Sequence, residues 1–352
     1  MLKKIEKPLK LSKMNSNYSP PQVTVLLPVY NSEKYIAQAI ESILNQTFRN
    51  FELLIIDDGS EDSSVKIVQS YSDPRIRIVK NLQNLGLVQT LNRGITLIKS
   101  EYLARMDADD IALPDRLEKQ LLFMQARPEV GLLGGAIQLM DENGDKQGKI
   151  TVPINDSYLL KFWLHFENVI KHPTVMLRTE LLVKTGIYDA DFIYNEDFDL
   201  WTRFAAQTEI ANLPDLLLYK REHSLNISVI NEKKQKQNHI RIVEREVKHL
   251  TGLSFSSDFF EKFYSGEPLP VAMAKKIIWL YHDCTKAFNN QNHLTDKQMK
   301  KLKYSLSWRT SSVLDRTSPG MAMLGEKISM YWHNHDLLVS HLRQHKLEGK
   351  IK

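Results

Sequence analysis

The sequence contains one cysteine, Cys284, among 352 residues, so it has no internal disulfide and agrees with a reducing compartment. It also lacks any apolar run of the roughly 18–20 residues that a membrane-spanning helix requires. The N-terminus carries lysines but no apolar segment typical of a secretory signal peptide. Together these absences predict a cytoplasmic protein.

Two cofactor motifs are missing as well. Residues 131–135 (GLLGG) depart from the Gly-x-Gly-x-x-Gly order and no helical pattern follows them, which disfavours a dinucleotide-binding dehydrogenase. No Gly-x-x-x-x-Gly-Lys-Ser/Thr run exists, which excludes a P-loop. Since no base-stacking or groove-reading motif accompanies the basic charge, we expect no nucleic-acid partner.

The charge is unevenly distributed along the chain. The net charge of +5 divides into +4 for residues 1–20, −8 for residues 21–225 and +9 for residues 226–352. The basic C-terminal region also contains the apolar run Ile277-Ile278-Trp279-Leu280. This combination favours peripheral docking on an anionic membrane surface, at the inner face of the cell membrane, or packing against another subunit of a homo-oligomer. Solubilising lysines on helix faces explain the charge equally well.

Apolar runs and helical patterns alternate from residue 22 onward. Strands are predicted at Val23–Leu27, Phe51–Ile56, Arg75–Val79 and residues 102–106. Helices are predicted between them, at 35–44 with Ser32 as cap, at Ser64–Tyr71, at Gly86–Ile98 and after Pro114. This alternation predicts an α/β fold whose mixed, mainly parallel sheet is flanked by helices and binds ligands beyond the carboxyl ends of its strands.

The pattern changes near residue 130. A hairpin is predicted from Val130–Met140 and Lys149–Val152, followed by helices at Ser157–Phe166 and Asn195–Ala206 and strands at Thr174–Leu177 and Leu216–Tyr219. Helical patterns lie near 236–250, 270–289, 296–308 and 320–346. We therefore divide the chain into a basic N-terminal tail (1–21), a catalytic domain (22–228) and a basic, mostly helical C-terminal region (229–352).

Three carboxylates follow the predicted strand at 102–106, in Asp107-Ala108-Asp109-Asp110. They repel one another unless a cation lies among them, and hard oxygen ligands at this spacing suit Mg²⁺ or Mn²⁺ shared with a diphosphate. A calcium loop is excluded because Ala112 stands where that loop requires glycine. Simple capping of the helix at Pro114 stays open as an alternative.

Polar residues also follow the first two strands. Asp57 and Asp58 can accept hydrogen bonds from a base edge or a ribose, although the same turn suits a helix start. Tyr30 can stack on a base, while Asn31 and Glu33 can hold polar groups. The next strand-to-helix unit contributes two further polar positions, at Asn84–Gly86 and at Asn92.

Two later motifs have competing explanations. Glu196 and Asp197 open a helix, where the dipole alone favours acids, but the aromatic residues after them would anchor a general base. Arg221 can reach a phosphate, and His223 can reach the metal or a phosphate; a structural histidine is about equally compatible with the pattern. Loops 141–172 and 186–195 lack a regular pattern, and we expect them to determine specificity.

Four motifs, in order and spacing, resemble the family 2 glycosyltransferases of the GT-A fold: VTVLLPVYNSEKYIAQAIESILNQTFRNFELLIIDDGSEDSS, NLGLVQTLNRGI, ARMDADDIALPDRL and NEDFDLWTR. The resemblance covers roughly residues 22–225 and leaves the C-terminal region open. It implies a nucleotide-sugar donor, usually linked to UDP, and Mg²⁺ or Mn²⁺ as cofactor. The chain lacks the downstream Gln-x-x-Arg-Trp signature of processive synthases, which favours transfer of a single sugar.

The resemblance also implies roles for individual residues. Asp197 would be the catalytic base with Glu196 beside the donor or acceptor, and Asp109 would ligate the metal, with Asp107 at the ribose or metal and His223 nearby. The nucleotide sugar would be bound by residues drawn from all the early motifs and one late one: Pro28, Tyr30, Asn31, Glu33, Asp57, Asp58, Asn84, Gly86, Asn92, Arg105, Asp107, Ala108 and Arg221.

The predicted reaction is therefore an inverting transfer from a nucleotide sugar to a hydroxyl of a glycan or lipid-linked acceptor, as in cell-surface polysaccharide synthesis. Two alternatives stay open at this point. One is a sugar-phosphate nucleotidyltransferase, although Pro28-Val29-Tyr30-Asn31 occupies the place of its glycine-rich loop. The other is a non-catalytic module that binds a nucleotide sugar or docks on a membrane.

Overall fold

The computed structural model describes residues 20–223 and 231–317. Within them, nine strands form one sheet in the order β3-β2-β1-β4-β8-β6-β9-β5, and β7 pairs with β6 outside this path. The strands are β1 (Val23–Val29), β2 (Phe51–Asp57), β3 (Ile76–Lys80), β4 (Tyr102–Arg105), β5 (Ile111–Ala112), β6 (Val130–Met140), β7 (Lys146–Thr151), β8 (Met176–Arg178) and β9 (Glu209–Arg221).

Helices connect the strands and then form the C-terminal region. Between strands they are α1 (Ile36–Leu44), α2 (Ser64–Gln69), α3 (Leu87–Leu97), α4 (Arg116–Ala126), α5 (Ser157–Trp163), α6 (Leu182–Thr185) and α7 (Glu196–Ala205). After the sheet come α8 (Glu232–Thr251), α9 (Ser257–Phe263), α10 (Val271–Asn292) and α11 (Asp296–Asp315).

The sheet is mixed and mainly parallel, as predicted. Strands β1 to β4 run parallel, and β6 runs parallel to β9. The short β8 is antiparallel to both β4 and β6 and thereby joins the two parallel halves. All seven residues of β1 are buried, because helices cover a parallel sheet on both faces and an unbroken apolar run is then stable.

Each face of the sheet has its own apolar core. On one face, Val25 and Leu27 of β1 pack in a cluster with α1 and α4. On the other face, Leu26 belongs to a cluster that includes α3, α5 and α7 and extends into the C-terminal helices. The C-terminal region is thus fastened to the sheet by a continuous core.

That core changes one prediction about the C-terminal region. Ile277, Ile278 and Leu280 are 0–3% exposed and pack inside the second cluster, so they do not present an apolar surface to a membrane. The sequence shows them only as an apolar run, and the structure packs their helix against α8 and α11. No helix of residues 20–223 and 231–317 is long and apolar enough to cross a membrane.

Several boundaries differ from prediction. Ser32 does not cap α1 through its side chain; its hydroxyl donates to the carbonyl of Tyr30, and its carbonyl accepts the amide of Ile36. The second hairpin strand begins at Lys146 rather than Lys149. Residues 1–19, the predicted boundary at 228 and the predicted helix at 320–346 lie outside the described residues.

Candidate active site

The carboxyl ends of three strands meet at one edge of the sheet. In the registers of β1 with β2 and with β4, Val29 lies opposite Asp57 and Leu26 opposite Arg105. Tyr30, Asp58 and Asp107 therefore emerge at this edge, where parallel sheets bind their ligands. Pro28 is buried beside Ile56 just before the edge, beyond the part of β1 that pairs with β4, so its missing N–H costs no bond to that strand.

The buried carboxylate of Asp58 holds the loop that precedes α3. It accepts hydrogen bonds from the amides of Leu85 and Gly86, each at 2.9 Å, and from Asn81 Nδ2 at 2.6 Å. Asn84 Oδ1 accepts from the Gly86 amide as well, at 3.0 Å. Asp58, Asn84 and Gly86 thus form one turn, and their predicted contact with a nucleotide sugar stays a prediction.

The exit from β2 requires a glycine. Gly59 has φ +76°, and a Cβ there would lie 2.8 Å from the carbonyl carbon of Gln83. Asp57 is buried and its Oδ1 accepts from the Ser60 amide at 3.2 Å. The turn after β2 therefore follows a tight path beside the loop after β3.

The loop after β1 is tied to the loop after β2. Asn31 Oδ1 accepts from the Glu61 amide at 2.9 Å, and Glu33 Oε2 accepts from the Ser63 amide at 2.8 Å. In contrast, Tyr30 is 47% exposed, so its ring is accessible for stacking on a base. Asn31 and Glu33 hold the loop that presents Tyr30.

The three predicted acids come together after β4. Oxygens of Asp107, Asp109 and Asp110 lie within 4.8 Å of one another. Asp110 Oδ1 accepts from the Arg221 amide at 2.9 Å, whereas its buried Oδ2 has no hydrogen-bond partner. The intervening Ala108 is buried.

Burial and mutual repulsion make this cluster receptive to a cation. Burial, followed by the charges of Asp109 and Asp107, raises the pKa of Asp110 well above its ordinary value. Burial and the charge of Asp107 likewise raise the pKa of Asp109. An all-oxygen, anionic donor set with an unpaired buried oxygen fits Mg²⁺ or Mn²⁺.

His223 and Arg221 support the cluster from β9 and the residues after it. His223 Nε2 lies 3.0 Å from Asp109 Oδ2, and its ring stacks on that of Tyr35 with centroids 5.4 Å apart. The Arg221 guanidinium is buried and lies 4.5 Å from the Tyr35 ring centroid. It donates hydrogen bonds to four oxygens: the carbonyls of Asp109, Asp141 and Glu142 and Oε1 of Gln38. These contacts are internal, and the predicted contact of Arg221 with a phosphate stays a prediction.

A second acidic pair opens α7. Asp197 Oδ2 accepts from Asn168 Nδ2 at 2.7 Å and lies 4.0 Å from His172 Nδ1. Burial raises the pKa of Asp197, while hydrogen bonds to its carboxylate and the charge of Arg105 oppose this increase. Burial and the charge of Asp197 raise the pKa of Glu196 to about 7.

Arg105 joins the two acidic groups into one site. Its buried guanidinium binds both carboxylate oxygens of Asp107, with Nη1 2.5 Å from Oδ2. The same charge acts on Asp197 and Glu196, where it offsets part of the effect of burial. The site therefore combines a candidate metal cluster, a fixed cation and a candidate base.

Three further residues at this site lie outside the predicted set. Asn168 and His172 contact Asp197, and the Tyr188 hydroxyl lies 2.8 Å from His172 Nε2. Asn92 exchanges two hydrogen bonds with the Tyr188 backbone, at 2.8 and 3.0 Å, and its predicted contact with the donor stays a prediction. Asn168, His172 and Tyr188 lie within the irregular segments 141–172 and 186–195, which the sequence analysis expected to determine specificity. That position was the one feature of the sequence that could have indicated them.

Comparison with known proteins agrees with this geometry. The family model described as glycosyl transferase family 2 matches residues 24–185. The amylovoran biosynthesis glycosyltransferase AmsE of Erwinia amylovora is 34% identical over 206 residues, which cover 57% of this chain and 76% of AmsE. The O-antigen biosynthesis glycosyltransferase WbnJ of Escherichia coli is 35% identical over 208 residues, which cover 57% of this chain and 80% of WbnJ.

Solved structures show the same architecture. S. aureus TarS 1–349 in complex with UDP-GlcNAc superimposes with a TM-score of 0.54 and 16% identity, over 89% of this chain and 92% of that chain. The complex of TarS 1–349 with UDP superimposes with a TM-score of 0.50 and 19% identity, over 83% of this chain and 89% of that chain. Low identity limits this likeness to the fold, which is GT-A. This chain covers more than two thirds of AmsE and of WbnJ at over 30% identity, and the family model matches residues 24–185. The chain therefore belongs to glycosyl transferase family 2.

Proposed function

We propose that this protein transfers a single sugar from a UDP-sugar to a hydroxyl of a glycan or lipid-linked acceptor, with inversion at the anomeric carbon. The observation that carries the proposal is that the buried Arg105 guanidinium binds Asp107 of the acidic cluster and also acts electrostatically on Asp197. This arrangement provides a place for a diphosphate beside a candidate base. Family membership makes a nucleotidyltransferase the weaker explanation.

Asp107 and Asp109 would hold Mg²⁺ or Mn²⁺, with His223 holding the Asp109 carboxylate in place. When bound, such an ion neutralises charge on a diphosphate leaving group. Arg105, which binds Asp107, would add its fixed positive charge. Tyr30, exposed at the end of β1, would stack on the base of the donor.

Asp197 would act as the base. The acceptor oxygen forms a bond to the anomeric carbon as its proton passes to Asp197, and the bond from that carbon to the diphosphate oxygen breaks with its electron pair. One displacement inverts the anomeric centre. Asn168 stabilises the ionised carboxylate through its 2.7 Å hydrogen bond, which keeps Asp197 able to accept a proton despite its burial.

The test is release of UDP, GDP or dTDP from a panel of nucleotide sugars, with Mn²⁺ and then with EDTA. Asp197→Asn should abolish turnover and leave UDP binding intact, while the exposed Asp258→Asn on α9 serves as a matched control. Normal turnover in Asp197→Asn would refute the assignment of the base. Binding of UDP without turnover of any donor in the unmodified protein would favour the non-catalytic module.

We also propose a role in cell-surface polysaccharide synthesis at the inner face of the cell membrane. The names of AmsE and WbnJ place those relatives in amylovoran and O-antigen biosynthesis, which supports a glycan acceptor here. On α11, Tyr304 and Trp308 are 55% and 67% exposed and lie one turn apart, with the exposed Lys301 nearby. Aromatic rings beside a lysine suit the interface of an anionic membrane.

A further inference from the structure

We propose that His172 and Tyr188 are positioning residues for Asp197: the Tyr188 hydroxyl donates to Nε2 of His172, which directs the Nδ1–H of that ring at the Asp197 carboxylate. The inference rests on the proposed role of Asp197 as base. It assigns a function to two residues that lie outside both acidic motifs in the sequence.

The contacts form a chain across three segments. Asn92 of α3 fixes the backbone of Tyr188 through two hydrogen bonds. The Tyr188 hydroxyl lies 2.8 Å from His172 Nε2, and His172 Nδ1 lies 4.0 Å from Asp197 Oδ2. The Trp201 ring packs edge-on against both aromatic rings, with centroids 5.7 Å from His172 and 6.4 Å from Tyr188. The ring orientations are therefore held by packing as well as by hydrogen bonds.

The ionisation states leave one proton on the His172 ring and one on the Tyr188 hydroxyl, and the Asp197 carboxylate near Nδ1 then favours one direction of the hydrogen bond. Burial, followed by the charge of Arg105, holds the pKa of His172 well below its usual range, so the ring is neutral and carries one proton. Burial raises the pKa of Tyr188, so its hydroxyl keeps its proton and can donate it. With Tyr188 as donor to Nε2, the ring proton resides on Nδ1, the nitrogen that faces a carboxylate.

The opposite tautomer would place a lone pair of Nδ1 toward the Asp197 carboxylate, which is electrostatically unfavourable. At 4.0 Å the Nδ1–H does not form a direct hydrogen bond, but its dipole favours the ionised carboxylate in a buried site. The other charged or titratable groups that act on Asp197 are Arg105, Glu196, Lys171 and Tyr188 itself. Arg105 is already bound to Asp107, so the ring supplies a separate stabilising contact.

The decisive variant is Tyr188→Phe, which removes the hydroxyl and keeps the ring. Tyr158→Phe is the matched control, because the Tyr158 hydroxyl is buried without a hydrogen-bond partner. For turnover of the active UDP-sugar, we expect Tyr188→Phe to lower kcat about tenfold and to move the acidic limb of the pH profile to higher pH. The KM for the donor and the Kd for UDP should not change. An unaltered kcat and acidic limb would overturn the proposal.

A second measurement determines the tautomer of His172 in the wild-type protein and therefore does not depend on the folding of Tyr188→Phe. In protein labelled with ¹⁵N-histidine and loaded with UDP and the diamagnetic Mg²⁺, the ring nitrogen shifts of His172, assigned through His172→Gln, should report the Nδ1–H form. The Nε2–H form would overturn the proposal. If Asp197→Asn were active, the proposed function would fail; if Asp197→Asn were inactive and Tyr188→Phe normal, only the positioning role would fail.

Discussion

Arg105 binds Asp107 through both ends of its guanidinium, and the pair lies two residues apart on the strand end where the acidic cluster begins. The arginine is buried, whereas the Asp107 side chain is about one-third exposed toward the cluster. A planar fork holds a carboxylate in one orientation, which an ammonium group cannot do. The orientation of Asp107 therefore depends on Arg105 as much as on the backbone.

Arg105→Lys should retain the charge but lose this orientation. We expect the affinity for Mn²⁺ in the presence of UDP to fall about 10- to 100-fold, as for other residues that orient a metal ligand. Titration of Mn²⁺ by electron paramagnetic resonance measures this. Arg77→Lys, in the more exposed pair with Glu52, is the control. An unchanged affinity for Mn²⁺ would show that Asp107 does not need the fork.

Asp109→Asn should weaken UDP binding in the presence of Mn²⁺ by at least about tenfold, because the cluster loses an anionic oxygen ligand. Isothermal titration calorimetry measures the loss, and EDTA should reduce UDP binding by the wild-type protein to a similar level. The partly exposed Asp115→Asn, six residues along the chain, should bind UDP normally. Equal UDP affinity with and without EDTA would argue against a metal at this cluster.

Asp58→Asn should lower the free energy of unfolding by about 2–4 kcal/mol. The reason is that an amide nitrogen would then face donors that now share a buried carboxylate. Urea denaturation measures the change, with the exposed Glu61→Gln as control. If Asp58→Asn unfolded like the wild type but lost UDP binding, the carboxylate would belong to the nucleoside site instead.

Glu196 should make the stability depend on pH. Its folded pKa of about 7 exceeds the ordinary value of 4.5, so folding favours the protonated form. Stability is therefore lost as the pH rises from about 4.5 through about 7, by about 3 kcal/mol from this group. The free energy of unfolding, measured by urea denaturation, should differ less between pH 5 and pH 8 for Glu196→Gln than for the wild type. Equal differences would mean that Glu196 ionises normally.

The exposed rings of α11 should contribute to membrane binding. We expect the wild-type protein to sediment with anionic vesicles at low salt, and Trp308→Ala with Tyr304→Ala to reduce that fraction. Leu253→Ala removes an exposed apolar side chain elsewhere and should have no effect. Absence of the wild-type protein from the vesicle pellet would reject docking through α11.

The sequence predicts the parallel half of the sheet well. Strands β1, β2 and β4 are buried on both faces at all positions but Glu52, so they appear as mainly apolar runs, and each was located to within two residues. The acidic cluster follows from the same reasoning. In contrast, β5 has two residues and pairs with β9, more than 100 residues later, so no local pattern marks it.

Side chains that are enclosed by distant backbone were harder to predict. An arginine at a strand end normally reads as exposed, yet Arg221 is buried against carbonyls of Asp141 and Glu142. The sequence likewise does not show that the Asp58 carboxylate accepts hydrogen bonds from amides of the loop before α3. Their partners depend on how strands that are distant in sequence assemble, which spacing alone does not encode.

The position of β9 has a consequence for dividing this chain into pieces. The family match ends at residue 185, but β9 lies between β6 and β5, and Asp197 lies on the helix before it. A fragment cut at residue 185 would leave the backbone amides and carbonyls of β6 exposed along a whole side and would remove the proposed base. The segment that matches the family model is therefore shorter than the segment that completes the sheet and the proposed site.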